Sequence, residues 1–268
     1  SLLLRLAVTL SAAVTVFVLV TLVAYILIKG IPNLKPSLFA WEYTTENASM
    51  LPAMINTLTM TVLSLLMAVP VGVCSAIYLV YAGRGNRLVS LVRITAETLQ
   101  GIPSIVYGLF GFLFLVVACK FGYSLLSGAI TLAIMILPLI LRTTEEALKA
   151  VPDSFREGSF GLGAGRLRTV FRIVLPSAVP GILAGVILAI GRIVGETAAL
   201  IYTSGTVAGV PETLMGSGRT LAVHMYALLS NGLYTEQAYA TAVVLLVMVV
   251  GINALSAWLA KKVSAKQR

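Results

Sequence analysis

The side chains with the strongest chemical signal in this sequence are an arginine and a glutamate inside an apolar stretch. Arg192 and Glu196 lie four residues apart in the apolar run 177–203. An ionised guanidinium at the centre of a bilayer costs at least about 2.5–3.5 kcal/mol, so Arg192 must face protein or water if this run crosses a membrane. At this helical spacing Glu196 can pair with Arg192 and orient it. We predict that both line a polar pathway; a buried ion pair that only locks the helix to its neighbours is the alternative.

A second unusual segment, residues 142–176, connects two apolar runs that a short hairpin could have joined. Ser154 and Glu157 have the spacing of a capping box, which predicts the start of a short helix. Glycines at 161, 163 and 165 then supply turn conformations, and apolar residues recur at helical spacing up to Pro176. The pattern predicts two short helices on the membrane face. Such a segment could rest on anionic lipid headgroups or dock a protein partner.

Groups suited to covalent or metal chemistry are scarce. The chain has a single histidine, His224, and a single aspartate, Asp153, whereas a membrane enzyme such as a headgroup transferase usually needs clustered Asp, His or Cys. The sequence contains no Gly-Lys dipeptide, hence no loop of the type that cradles nucleotide phosphates, so ATP hydrolysis is not expected of this chain. Cys74 and Cys119 occupy positions that disfavour a disulfide. We predict no enzyme activity, cofactor or metal here.

The elements that must position these residues are helices that cross a bilayer. The 268 residues are 59% hydrophobic and only 11% charged, with a mean hydropathy of +0.99, which leaves too little polar surface for a water-soluble globule. A span needs roughly 20 apolar residues, and six such runs can be found. The sequence therefore predicts an all-α membrane protein with spans at about 6–28, 56–81, 95–118, 123–141, 177–203 and 237–260.

The net charge of +9 predicts topology rather than nucleic-acid binding, because the basic residues are grouped in alternate loops. Most of them fall near the N-terminus, around 84–93, within 142–172 and after residue 260. The other side receives only Lys29, Lys35, Lys120 and Arg219. The positive-inside rule then places both termini in the cytoplasm. We divide the chain into a first span (1–28), an extracytoplasmic loop (29–55), a membrane core (56–260) with a cytoplasmic loop at 142–176, and a cytoplasmic tail (261–268).

The spacing within the 142–176 loop resembles the cytoplasmic signature of permeases of binding-protein-dependent ABC importers. Glutamate, two small residues, glycine and a later Ile-x-Leu-Pro recur at the intervals of that signature, with Gly158 and Ser159 in place of two alanines. The matching positions are Glu157, Gly163, Ile173, Leu175 and Pro176. The resemblance implies the type I ABC importer permease fold. It also implies that the helix starting near Ser154 couples the chain to a separate cytoplasmic ATPase, which holds the ATP and magnesium.

Two further blocks, residues 97–108 and 191–198, resemble the phosphate-specific permeases of this superfamily, and the run 195–205 resembles their A-type subunit. The resemblance implies a phosphate pathway in the bacterial inner membrane, with Arg192 as a transient phosphate contact. It implies four partners: a C-type permease, a homodimeric ATPase, an extracytoplasmic phosphate-binding protein and the lipid bilayer. Nucleic acid is not expected as a partner. Two alternatives stay open: an importer for another oxyanion or small solute, and a transporter that works without ATP.

Overall fold

The fold is a bundle of helices, described here for residues 2–81 and 87–265 of a computed structural model. Arg84, which contributed to the predicted topology, and residues 266–268 of the predicted tail lie outside this range. No strand occurs in the described residues. The helices are α1 (Leu2–Gly30), α2 (Leu51–Tyr81), α3 (Arg87–Gln100), α4 (Ser104–Gly111), α5 (Leu125–Lys149), α6 (Asp153–Gly161), α7 (Arg166–Thr169), α8 (Leu175–Val194), α9 (Ala198–Thr203), α10 (Leu221–Ser230) and α11 (Thr235–Ala265).

The predicted all-α membrane architecture is confirmed. Five helical segments are long and apolar enough to span a bilayer, and a sixth span results if the bent pair of α3 and the helix after it is counted as one. The five are Leu3–Asn33, Leu51–Tyr81, Leu125–Lys149, Arg166–Val194 and Thr235–Trp258. Hydropathy therefore located the spans well, although two of the predicted ones differ in form.

The predicted third span is not one helix. Helix α3 ends at Gln100, and the chain turns by 104° before α4 and its π-helical continuation, Phe112–Ala118. Pro103, in an extended conformation at φ −59° and ψ 141°, has no N–H to extend the hydrogen-bond ladder. The turn is closed by the N–H groups of Gly101 and Ile102, which donate to the carbonyls of Thr98 and Leu99. A hydropathy window cannot detect such a change of direction.

The predicted fifth span starts earlier and ends earlier than its apolar run. Helix α7, a π-helical turn at Val170–Val174 and α8 form one continuous rod, so no separate helix ends at Pro176. Pro176 cannot donate a backbone hydrogen bond, and the wider π turn directly precedes it. At its other end the rod stops at Val194, and α9 begins only at Ala198.

The centre of the bundle is formed by α2, α5 and α8, which pack against one another through small residues. A Cβ atom on Gly72 of α2 would lie 2.8 Å from Ile140 of α5, and one on Gly185 of α8 would lie 2.1 Å from Thr143. The core of the bundle is apolar and includes Met60, Leu132, Met135, Ile136, Ile193 and Leu200. Because these three helices pack closely, they hold the loops and short helices at both of their ends in fixed positions.

Helix α1 lies at the periphery. None of the residues in its apolar stretch is buried in the isolated chain, whereas 67% of those in the apolar stretch of α5 are. It touches the rest of the chain through α11, where the Tyr25 and Tyr239 hydroxyls are 3.3 Å apart. An apolar helix of this length with so little protein contact must be covered by lipid or by another subunit.

Candidate functional site

The loop that carries the predicted signature contains α6, which begins after Pro152. Ser154 therefore lies inside the first turn, and no side chain caps the helix, so the predicted capping box of Ser154 and Glu157 is wrong. The acidic group in that turn is Asp153, which pairs with Arg156. A carboxylate near a helix N-terminus interacts favourably with the helix dipole, and Asp153 supplies it here.

Gly163 ends α6 in the left-handed conformation, at φ +80°. Its N–H donates to the carbonyl of Phe160, and that of Ala164 donates to Ser159. A Cβ atom there would meet nothing within 4 Å, so the reason for glycine is backbone conformation rather than space. The hydroxyls of Ser159 and Thr169 are 2.9 Å apart in the interior of the loop, a bond that an alanine at 159 could not make.

The outer face of this loop presents aromatic and aliphatic side chains beside arginines. Phe155 and Phe171 are about half exposed, and Leu162 is 91% exposed. Phe155 and Leu162 border a groove of about 630 Å³ whose lining also includes Gly158, Arg168, Arg172 and Ile173. Of the other signature residues, Glu157 is exposed and Leu175 and Pro176 are partly buried at the base of the α8 rod. A groove with an apolar floor and basic edges suits a protein partner.

The structure separates the two charges that the sequence placed one helical turn apart. Helix α8 ends at Val194, so Glu196 lies in the break before α9 and not on the helix of Arg192. Its buried carboxylate accepts a hydrogen bond from the N–H of Ala199, at 3.0 Å. Arg192 forms no ion pair with any described residue. The predicted pair is therefore wrong, because Glu196 caps α9 instead.

The region around Arg192 brings two broken helices together. The half-buried Arg192 lies close enough to Tyr107 of α4 for its charge to act on the phenol. The Tyr107 hydroxyl donates to the carbonyl of Leu99, at 2.7 Å, across the bend between α3 and α4. The next residue, Gly108, packs against α9 so closely that a Cβ atom would lie 2.8 Å from the Cα of Ala199. The α3–α4 bend and the α8–α9 break thus form one site.

A cluster of charges next to this bend was not predicted from the sequence. Glu145, 6% exposed, has its Oε1 2.6 Å from Nη2 of Arg93 and 2.7 Å from Nζ of Lys149. Glu97, Arg142 and Glu146 also line the pocket, which has a volume of about 190 Å³. The spacing of Arg142 to Glu146 and of Glu145 to Lys149 is the i, i+4 signal that could have indicated it.

At the opposite end of the bundle, Arg219 and His224 are buried together against Tyr43. The Arg219 guanidinium lies 4.6 Å from the centre of the Tyr43 ring, and the Tyr43 and His224 rings make an edge contact. Burial lowers the pKa of Arg219. Burial, together with the charge of Arg219, lowers the pKa of His224 to about 3, so the imidazole stays neutral near neutral pH. His224 is thus a packed histidine, and no cluster of metal-binding side chains occurs in the described ranges.

The family of this chain is established by comparison with known proteins. Residues 68–266 match the family model of the binding-protein-dependent transport system inner membrane component. The chain therefore belongs to this family of ABC importer permeases, which are multi-pass membrane proteins, and the predicted resemblance is confirmed. Membership implies work with an ATPase and a periplasmic binding protein.

Individual relatives support the assignment. A Bacillus subtilis protein described as "probable ABC transporter permease protein YqgI" is 30% identical over 96% of this chain and 94% of its own length. The phosphate transport system permease protein PstA of Mycobacterium leprae is 35% identical over 76% of this chain and 68% of its own length. The fold is similar to that in the crystal structure of a bacterial alginate ABC transporter, with a TM-score of 0.65 at 16% identity, over 94% of this chain and 95% of the other.

Proposed function

We propose that this chain is the A-type permease subunit of an ATP-driven phosphate importer. Sequence similarity to the phosphate transport permease of Mycobacterium leprae extends over three-quarters of the chain and supports phosphate as the cargo. The permease forms half of the translocation pathway, and it performs no bond chemistry itself.

The observation that carries this proposal is the meeting of two distant sequence blocks. Residues 97–108 and 191–198 are the blocks that resemble phosphate permeases, and the structure packs them together. Gly108 lies against the residue that directly follows the second block, Ala199, and Arg192 is near enough for its charge to act on Tyr107. Broken helices that face each other inside a membrane often line a substrate path, because their free backbone groups can contact a polar solute.

Within this path Arg192 is the group that contacts phosphate. A guanidinium supplies a planar fork of donors and a permanent positive charge, which suits a hydrated oxyanion. Contact with the anion should be weak, since a site that held the ion tightly would not release it. Glu196 contributes to the same path by fixing the start of α9 through its bond to Ala199.

ATP is bound and hydrolysed, with magnesium, by a separate homodimeric ATPase at the end of the bundle that carries α6. The groove beside α6 provides its docking surface, with exposed Phe155 and Leu162 flanked by Arg168 and Arg172. Ser154 and Glu157 lie on the docking helix, and Gly163 supplies the left-handed turn that follows it. Ile173, Leu175 and Pro176 connect the groove directly to the continuous rod of α8, so movement of the loop can displace the helix that carries Arg192.

The remaining partners follow from this arrangement. A C-type permease completes the pathway as a heterodimer, and a phosphate-binding protein docks at the opposite end, around the segments 31–50 and 204–220. The assembly spans the bacterial inner membrane with both termini of this chain in the cytoplasm. ATP binding closes the ATPase and opens the pathway towards the binding protein, and hydrolysis restores the inward-facing state.

Radiolabelled phosphate uptake tests this function. Membrane vesicles that contain this subunit, the C-type permease, the ATPase and the binding protein are assayed with and without ATP, and with unlabelled arsenate, sulfate or molybdate as competitors. We expect ATP-dependent uptake that arsenate reduces and that sulfate and molybdate leave unchanged. Uptake of another solute would contradict the phosphate assignment alone, whereas flux without ATP would contradict the coupling to an ATPase.

A further inference from the structure

The contact between α6 and the rest of the bundle includes an arginine that plays no part in the family signature. Arg156 is on α6, and its side chain is only 20% exposed. Its Nη2 donates to the carbonyl of Leu148 at the end of α5, at 2.9 Å, and its Nη1 pairs with Asp153. The guanidinium also lies 5.9 Å from the ring centre of Tyr81, the last residue of α2. One side chain of α6 thus contacts the ends of two other helices, α5 and α2.

The Leu148 carbonyl needs this donor for a reason written in the sequence. In a continuing helix it would accept the N–H four residues later, but that residue is Pro152, which has none. A cation at a helix C-terminus also interacts favourably with the helix dipole. Partial burial acts to lower the pKa of Arg156, but its contacts with Tyr81 and Asp153 raise it overall, so the group stays charged.

Below this contact α2, α5 and the α8 rod share an apolar cluster. Leu148 and Val151 pack with Ala76 of α2 and with Val174 of the α8 rod, and Tyr81 lies at the edge of the cluster. Helix α2 then runs the full height of the bundle. At its other end Asn56 and Thr57 hold the segment that precedes α10, through bonds to Arg219 and Leu221.

We propose that Arg156 is a positioning residue that makes α6 move as one unit with the ends of α5 and α2. Displacement of α6 by the ATPase then moves α2, which carries the motion to the segment around Arg219 on the opposite side. Without Arg156, α6 would pull only on the helices to which the chain connects it directly. The inference rests on the proposed ATP-driven function and not on the identity of the cargo.

The first test measures transport per ATP hydrolysed by the assembled transporter. Arg156→Gln removes the charge and the fork, and we expect the ratio of phosphate transported to ATP hydrolysed to fall about two- to thirtyfold. The ATPase should still co-purify at the wild-type ratio, because its docking groove is intact. Arg156→Lys, which keeps a cation near Leu148 but loses the planar stacking surface, should recover part of the loss.

Arg166→Gln is the matched control. It removes the same charge from the same loop, but Arg166 is exposed and has no ion pair within the described residues. A normal ratio in Arg156→Gln, or an equal fall in Arg166→Gln, would overturn the proposal. If Arg156→Gln does not assemble, Tyr81→Leu takes its place. That variant leaves the bond to Leu148 intact, should lower the ratio in the same direction, and overturns the proposal if the ratio is unchanged.

A distance measurement tests the linkage independently of cargo. Spin labels replace Tyr78 on α2 and Gly161, the last residue of α6, in a transporter whose native cysteines are serine. Both positions are exposed, a Cβ atom on Gly161 would meet nothing within 4 Å, and Gly161 does not line the docking groove. With Arg156 present, the distance should stay constant when ATP is added. In Arg156→Gln it should change by more than about 2 Å, the size of helix shifts at packed interfaces. A distance that depends on ATP with Arg156 present would overturn the linkage. Absence of phosphate uptake by the wild-type complex would affect only the proposed cargo.

Discussion

At the scale of single residues, Arg192 combines partial burial with the lack of a carboxylate partner among the described residues. A permanent charge in that position requires water or an anionic solute to compensate it. Glu196, the nearest acidic residue along the chain, is committed to the N–H of Ala199. A neutral substitution at Arg192 should therefore remove a phosphate contact, whereas one at Glu196 can keep the bond to Ala199.

Arg192→Gln should lower phosphate uptake about ten- to 150-fold, because a charged hydrogen bond is worth roughly 1.5–3 kcal/mol. Glu196→Gln retains an oxygen that can accept from Ala199, so uptake should stay near the wild-type level. Initial uptake rates in vesicles, normalised to assembled complex, measure both. Equal loss in the two variants would instead favour an ion pair in some state of the transport cycle, and normal uptake by Arg192→Gln would exclude the pathway role.

Only some features of the individual site residues could be predicted from the sequence. The residue types at 157, 163 and 173–176 predicted a short helix and a turn in the loop, and the structure has α6 followed by Gly163 with a left-handed φ. Docking of an ATPase on this loop stays a prediction. The sequence led to the wrong prediction that Arg192 pairs with Glu196. That prediction assumes that α8 continues through residue 196. Where α8 ends depends on how α9 packs against α4, and the local sequence does not encode this packing.

At the scale of elements, the contact between α4 and α9 depends on a glycine with no spare space. A Cβ on Gly108 would lie 2.8 Å from the Cα and 3.1 Å from the carbonyl oxygen of Ala199, and both are backbone atoms that cannot rotate away. The two short helices hold the bend and the break together. Hydropathy predicted the apolar runs in which both lie but not their interruptions, since Gly101, Pro103 and Gly195 change chain direction without lowering apolar character.

Gly108→Ala should therefore destabilise the protein by about 1–3 kcal/mol, the usual cost of overpacking. The control is Gly251→Ala in α11, where a Cβ would meet nothing within 4 Å. Alanine has the higher helix propensity, so that variant should be neutral or slightly more stable. Thermal unfolding of the purified complex in detergent compares them. An unchanged midpoint for Gly108→Ala would show that α4 and α9 can separate at little cost.

At the scale of the whole molecule, the bundle has two chemically different ends. One carries α6 with its basic groove, and the other carries the turn 119–124 and the buried Arg219. The turn 119–124 belongs to the second end, because the N–H groups of Ser124 and Leu125 donate to the carbonyls of Thr203 and Gly216. Composition and the positive-inside rule predicted this polarity, whereas the exposure of α1 could be recognised only in the folded chain.

The orientation of these ends in the membrane can be tested with a native thiol. Cys119 is exposed on the turn that we place outside the cytoplasm, and Leu162→Cys puts a thiol on the most exposed part of the loop that we place inside. A membrane-impermeant maleimide should label Cys119 in intact spheroplasts. It should label Leu162→Cys, in a chain with Cys74 and Cys119 changed to serine, only after the membrane is opened. The reverse pattern would invert the topology and place the groove beside α6 out of reach of any cytoplasmic ATPase, so one labelling experiment tests both the orientation and the proposed coupling surface.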